Sequence, residues 1–125
     1  MERLQAGDNV KTTTDTKDWL ESQFVYSERL GIPVPRLAAD WDELSLDMQA
    51  AVLEQWEMIR GVIPERVIRL EAQIRIKQDR LFEEEDFAAS CRLNGDIADL
   101  ASRINDLHIW FRTQQDLDMG TKRHG

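Results

Sequence analysis

The most regular pattern in this chain lies in its last third. Leu93, Ile97, Leu100, Ile104, Leu107 and Phe111 recur at intervals of four, three, four, three and four. That spacing returns each side chain to one face of a 3.6-residue turn, and it predicts an amphipathic helix over 87–115. The polar side carries Arg92, Asp96, Asp99, Arg103 and Asp106, with Asp99 and Arg103 forming a favourable pair four apart. A weaker second apolar stripe follows Phe87, Cys91, Ala98 and Ile109.

A helix is also predicted over 64–82, with Pro64 in its first turn, where a missing N–H does no harm. Val67, Leu70, Ile74 and Leu81 form its seam at heptad core positions, interrupted only by Lys77. Ile68, Ala72 and Ile76 make a second stripe on the opposite side. A helix apolar on two sides is usually held between neighbours.

Leu81 and Leu93 stand twelve residues apart, where an unbroken heptad phase would put core positions of those types about ten apart. The acidic run Glu83-Glu84-Glu85-Asp86 falls in this gap. Carboxylates are unfavourable at a helix C-terminus and favourable at the next N-terminus, which puts a tight turn around 82–86 and predicts an antiparallel hairpin. Asn94-Gly95 is a rival turn site, and one continuous helix over 64–115 is a third arrangement.

The first half has shorter patterns. Met48, Val52, Trp56 and Ile59 share one face of a helix predicted over 46–60, with Ser45 as its cap, Asp40 as an earlier alternative and Gly61 as its end. A first helix is expected over 16–30, capped by Asp15 or Thr16 and carrying Trp19, Leu20, Phe24, Tyr26 and Leu30 up to Gly31. Ile32-Pro33-Val34-Pro35 then reads as an extended connector, because each proline pushes its predecessor out of helical geometry. Residues 1–14 and 116–125 lack periodicity and are expected to be a polar tail and a frayed end.

With 125 residues and 14.6 kDa, the chain can bury roughly two-thirds of its unfolded surface without metal or disulfide staples. Tryptophans 19, 41, 56 and 110 supply large apolar area to such a core. The formal net charge of −8 repels phosphate backbones and anionic lipid, so nucleic acid and membrane are disfavoured partners. A single cysteine, no leader-like apolar segment and no membrane-spanning run together point to the cytoplasm.

Catalytic chemistry is thin. His108 flanks the seam of the last helix and His124 sits in the terminal tail; neither has a nucleophile beside it in the sequence. Cys91, among Ala88, Ala89 and Ser90, reads as a buried inert thiol. A di-iron bundle needs Glu-x-x-His, whereas Asn105 stands three before His108. The run Glu83 to Asp86 lacks the alternating ligands and central glycine of a calcium loop, and the six glycines are isolated, so no phosphate loop forms.

One binding motif is conceivable. Residues 45–80 read helix, short turn, helix, with Arg66, Arg69, Arg75, Lys77 and Arg80 in the second helix. Glu65, Glu71 and Asp79 interleave those cations, which makes a helix-turn-helix nucleic-acid regulator the alternative rather than the leading expectation.

The sequence therefore predicts an all-α protein, a bundle of about four helices with a long C-terminal antiparallel hairpin. No catalytic, cofactor-binding or metal residue and no small-molecule substrate is expected. The expected role is protein–protein interaction through apolar helix faces, toward a protein partner or a second copy. Ile68, Ala72, Ile76, Phe87 and Ile109 are the candidate surface.

Overall fold

A computed structural model describes residues 15–113; the readings of 1–14 and 116–125 fall outside the described residues. The chain is mostly helical, but it also contains a small sheet. In order, it runs α1 (helical over 15–22), β1 (Phe24–Ser27), β2 (Ile32–Pro35), a 3-10 turn (Trp41–Glu43), α2 (Leu46–Arg60), α3 (Ile63–Glu83) and α4 (Phe87–Phe111).

The helix expected over 16–30 is corrected. It stops at residue 22, and its second half becomes β1 of an antiparallel hairpin whose other strand is the supposed connector. Phe24, Val25 and Tyr26 are strand formers, and the pairing Val25↔Val34 and Ser27↔Ile32 sets the register. Pro33 and Pro35 alternate with those paired positions, so their donor-less nitrogens face away from the ladder. Gly31 closes the four-residue loop at φ 74°, donating its N–H to the Ser27 carbonyl at 2.7 Å.

Gln23 is the pivot between helix and strand. Only 2% exposed, its side chain accepts from Ala38 N at 3.0 Å and donates to Ser22 Oγ at 2.9 Å and to the Trp19 carbonyl at 3.3 Å. Its own carbonyl accepts from Arg36 N at 2.7 Å. One buried amide thus ties together the helix end, the strand start and the segment beyond the sheet, with both polar atoms of its own side chain satisfied.

α2 begins where the Ser45 hydroxyl accepts from Met48 N at 3.1 Å. Its end needs no left-handed residue: Gly61 has φ −64°, and Gly61 and Val62 form a two-residue turn into α3. Asp86 caps α4, its carboxylate accepting from Ala89 N at 2.8 Å, so only Glu84, Glu85 and Asp86 separate α3 from α4.

α3 and α4 lie against one another, with Lys77 Nζ 3.1 Å from Asp96 Oδ2 across the seam. Lys77 breaks the apolar pattern because its aliphatic stem lines the seam while its ammonium reaches a carboxylate of the facing helix. The core sits at the base of this pair. Leu30 and Ile32 from the β-hairpin, Trp56 and Ile59 from α2, Ile63, Val67 and Leu70 from α3, and Leu100 and Leu107 from α4 form one buried cluster. The expected bundle of about four helices is corrected accordingly: of the two shorter helices expected over 16–30 and 46–60, the second is present as α2, and a β-hairpin stands in place of most of the first.

The loop of the β-hairpin is tethered on both sides. Arg29 pairs with Asp106 and donates to Ser102 Oγ at 2.7 Å, Arg103 reaches the Arg29 carbonyl, and Arg66 Nε donates to the Leu30 carbonyl at 3.1 Å. Beyond Leu70 and Leu100 no residue of either helix is fully buried; Ile74, Leu81, Leu93 and Ile97 are half-buried. Thirteen residues of α3 therefore project past the core, about 20 Å at 1.5 Å per residue.

Candidate interaction surface

α3 must bury Val67, Leu70 and Ile74 against α4, and the 100° advance per residue then fixes where everything else goes. Ile68, Ala72 and Ile76 emerge on the side away from that seam. Ile68 is 61% and Ile76 54% exposed, with Ala72 half-buried between them. The sequence pattern predicts neighbours on both sides of α3. Among the described residues only the inner stripe has them.

The other two candidates lie elsewhere. Phe87 opens α4, 83% exposed, and Ile109 stands near its other end, 49% exposed. Twenty-two residues separate them, about 33 Å along the helix. Both fall on α4's own outward face, so the five candidate residues form two surfaces rather than one, and only Ile68, Ala72 and Ile76 are brought together.

Phe82 is the functional candidate that the seam patterns miss. It lies at the end of α3, off both stripes, and at 91% exposed it is the most exposed large apolar side chain described. The sequence signal was present in the segment Phe82-Glu83-Glu84-Glu85-Asp86-Phe87, two aromatic residues flanking a turn made of carboxylates. With four solvated acids between them, neither ring has a core within reach of its own segment.

An open cleft of about 370 Å³ lies between the start of α3 and the end of α4, on the same edge of α3 as Ile68. Pro64, Val67, Ile68, His108 and Phe111 line it, with Glu71 at its margin. His108, expected beside the seam, is exposed at this cleft. At the far end of the projection, Lys77, Arg80 and Arg92 share a broader polar hollow with Glu83, Glu84 and Asp96, so its charges balance.

Other candidates also find their places. Cys91, read as a buried thiol, is instead exposed on α4's outward face; this corrects the sequence expectation, and the reason is that no element packs over that face among the described residues. Of the cations that suggested a nucleic-acid interface, Arg66 is engaged with the Leu30 carbonyl, Arg69 with Glu65 at 3.1 Å and Lys77 with Asp96. Trp41 and Trp56 are buried, whereas Trp19 and Trp110 are half-buried. Trp56 meets Trp110 edge to face, with ring centroids 5.6 Å apart.

Among the described residues no three His, Cys, Asp or Glu side chains gather where they could hold a metal, and no helix is long and apolar enough to cross a membrane. No protein family, curated protein or solved structure matches this chain.

Proposed function

We propose that this chain is a small protein-interaction module without catalysis of its own, working through the outer face of α3. One observation carries the reading: Ile68, Ile76 and Phe82, on a single helix, leave more than half of each large apolar side chain in water. A monomeric surface tolerates such residues singly, but a row of them on one rigid element marks a site for another protein. Covering an exposed phenylalanine or isoleucine fully is worth about 1.5–3 kcal/mol before the costs of association, so Ile68 and Ile76 on the outer face, with Phe82 at its margin, supply a usable driving force.

The α3–α4 projection suits such a role because it presents a rigid helical edge clear of the core. Its two-helix seam half-buries Ile74, Leu81, Leu93 and Ile97 and holds α3 in place, so the outer face is offered on a supported helix. The test is to replace Ile68 and Ile76 together with aspartate in the full chain. Sedimentation of the purified protein and cross-linking in its native cell should both show association lost, while far-UV circular dichroism stays helical. Unchanged association in the double variant, or a chain that associates with nothing in either setting, would refute the proposal.

A further inference from the structure

The two edges of the β-hairpin are built differently, and only one is closed. The bond from Arg36 N to the Gln23 carbonyl, 2.7 Å, sets the phase of the ladder. Gln23, Val25 and Ser27 turn their backbone groups toward Arg36, Val34 and Ile32. Phe24 and Tyr26 therefore turn theirs outward on β1, as Pro33 and Pro35 do on β2. The two prolines leave the β2 edge without a donor, and α2 packs against that strand.

The β1 edge has no such protection. It carries no proline, lysine or glycine, and none of α2, α3 and α4 packs along it. Phe24 and Tyr26 each present an N–H and a C=O there, and none of these groups has a hydrogen-bond partner among the described residues. Val25 is 44% and Tyr26 61% exposed, so the edge stands open to solvent. An unprotected edge of this kind is a template for another strand.

From this asymmetry we infer that β1 accepts an extended segment of another protein, which adds to the hairpin as a third strand and carries basic residues at its ends. The surface is separate from the outer face of α3 and does not rest on it.

Hydrogen-bond chemistry identifies the kind of segment. Phe24 and Tyr26 lie about 7 Å apart along the strand, so donors and acceptors repeat at the interval of an extended chain. A helix has already spent its backbone groups internally and has none to offer at that repeat. Residues of the incoming strand that face Phe24 and Tyr26 need an N–H, which excludes proline there. Beside the exposed Val25 and Tyr26, β-branched or aromatic side chains gain cross-strand contact.

Charge narrows the segment further. Glu21 and Glu28 bracket β1 in the chain, both exposed and neither in an ion pair among the described residues. α1 carries Asp15, Asp18 and Glu21 against Lys17 alone, and Arg29, just past the strand, is held by Asp106. A second copy would bring the same carboxylates and the same net charge of −8 to the edge. Lysine or arginine at the ends of a foreign strand complements them instead.

Amide hydrogen exchange and titration of the full chain, followed by NMR, test this with the peptide Arg-Thr-Val-Thr-Val-Thr-Val-Arg as probe. The Phe24 and Tyr26 amides exchange freely in the protein alone and should slow at least about tenfold when the peptide is bound. The same peptide, N-methylated at every amide between its arginines, should slow neither. Tyr26→Pro removes an outward donor and none of the bonds to β2, and should weaken the titration at least about tenfold. Glu21→Lys/Glu28→Lys should weaken it as well and turn the preference toward the same peptide ended in glutamates. Protection of Val25 and an unchanged circular dichroism spectrum report that each variant is folded. Ile68→Asp/Ile76→Asp should leave the titration unaltered, which separates this edge from the α3 face. No slowing of the Phe24 and Tyr26 amides at millimolar peptide, or a titration indifferent to Tyr26→Pro, overturns the inference. Slowing that grows with the concentration of the protein alone overturns it too, in favour of a second copy.

Discussion

Replacing Gly31 with alanine perturbs the tightest point of the fold. Gly31 holds φ 74°, the left-handed region, where a Cβ costs about 1–2 kcal/mol. The added Cβ would also stand 2.7 Å from Arg66 Nε and 2.8 Å from its Cζ. Arg66 donates from that same Nε to the Leu30 carbonyl, so the guanidinium cannot yield without giving up the bond that holds the β-hairpin loop to α3. A hydrogen bond from a charged group contributes about 1.5–3 kcal/mol, discounted here because Arg66 is only half-buried and can turn to water.

The sum for Gly31→Ala is about 2–4 kcal/mol of lost stability. Urea denaturation followed by circular dichroism reads it directly: with a slope of roughly 2 kcal/mol per molar, the midpoint falls by about 1–2 M. A double-mutant cycle separates the two causes. In an Arg66→Ala background the steric part vanishes and only the backbone part, about 1–2 kcal/mol, should remain. A Gly31→Ala midpoint within about 0.25 M of the parent would refute the reasoning outright, since neither cause could then operate. Equal effects in both backgrounds would remove the Arg66 contribution alone.

Further outcomes follow from where the core ends and how its polar groups are held. Leu107→Ala, at a fully buried position, should cost about 3–4 kcal/mol by thermal unfolding, whereas Leu93→Ala on the half-buried projection should cost roughly half as much or less; equal losses would contradict a core confined to the base. Gln23→Leu removes the three side-chain hydrogen bonds of a buried amide, while exposed Ala38 can turn its freed N–H to water, and should destabilise by about 1–2 kcal/mol, measured by urea midpoint, despite the apolar gain. Lys77→Leu exchanges a partly exposed ion pair, worth less than about 1 kcal/mol, for a continuous seam, and should leave stability unchanged or slightly raised in the same assay. Ser45→Ala removes the cap of α2 and should cost about 0.5–2 kcal/mol, checked by the same melt.

What the sequence determined by itself is the mostly helical character of the chain and the identity of its buried stripes, because burial on a helix repeats every 3.6 residues and leaves that period in the order of side chains. Leu100 and Leu107 are buried for the reason their spacing states. The expected helix gives way to strand and loop over Phe24 to Leu30 because a short apolar run with no clear period fits either element, and what settles it is non-local: Gln23 anchored to Ala38, and the loop held by Arg66, Ser102 and Asp106 from helices far along the chain. The candidate surface shows the same division. Periodicity could place Ile68, Ala72 and Ile76 on one face of α3, but whether a neighbour covers that face depends on how the elements assemble. Only the tertiary structure, which commits the β-hairpin and α2 to the base, decided that Ile68, Ile76 and Phe82 are left in water.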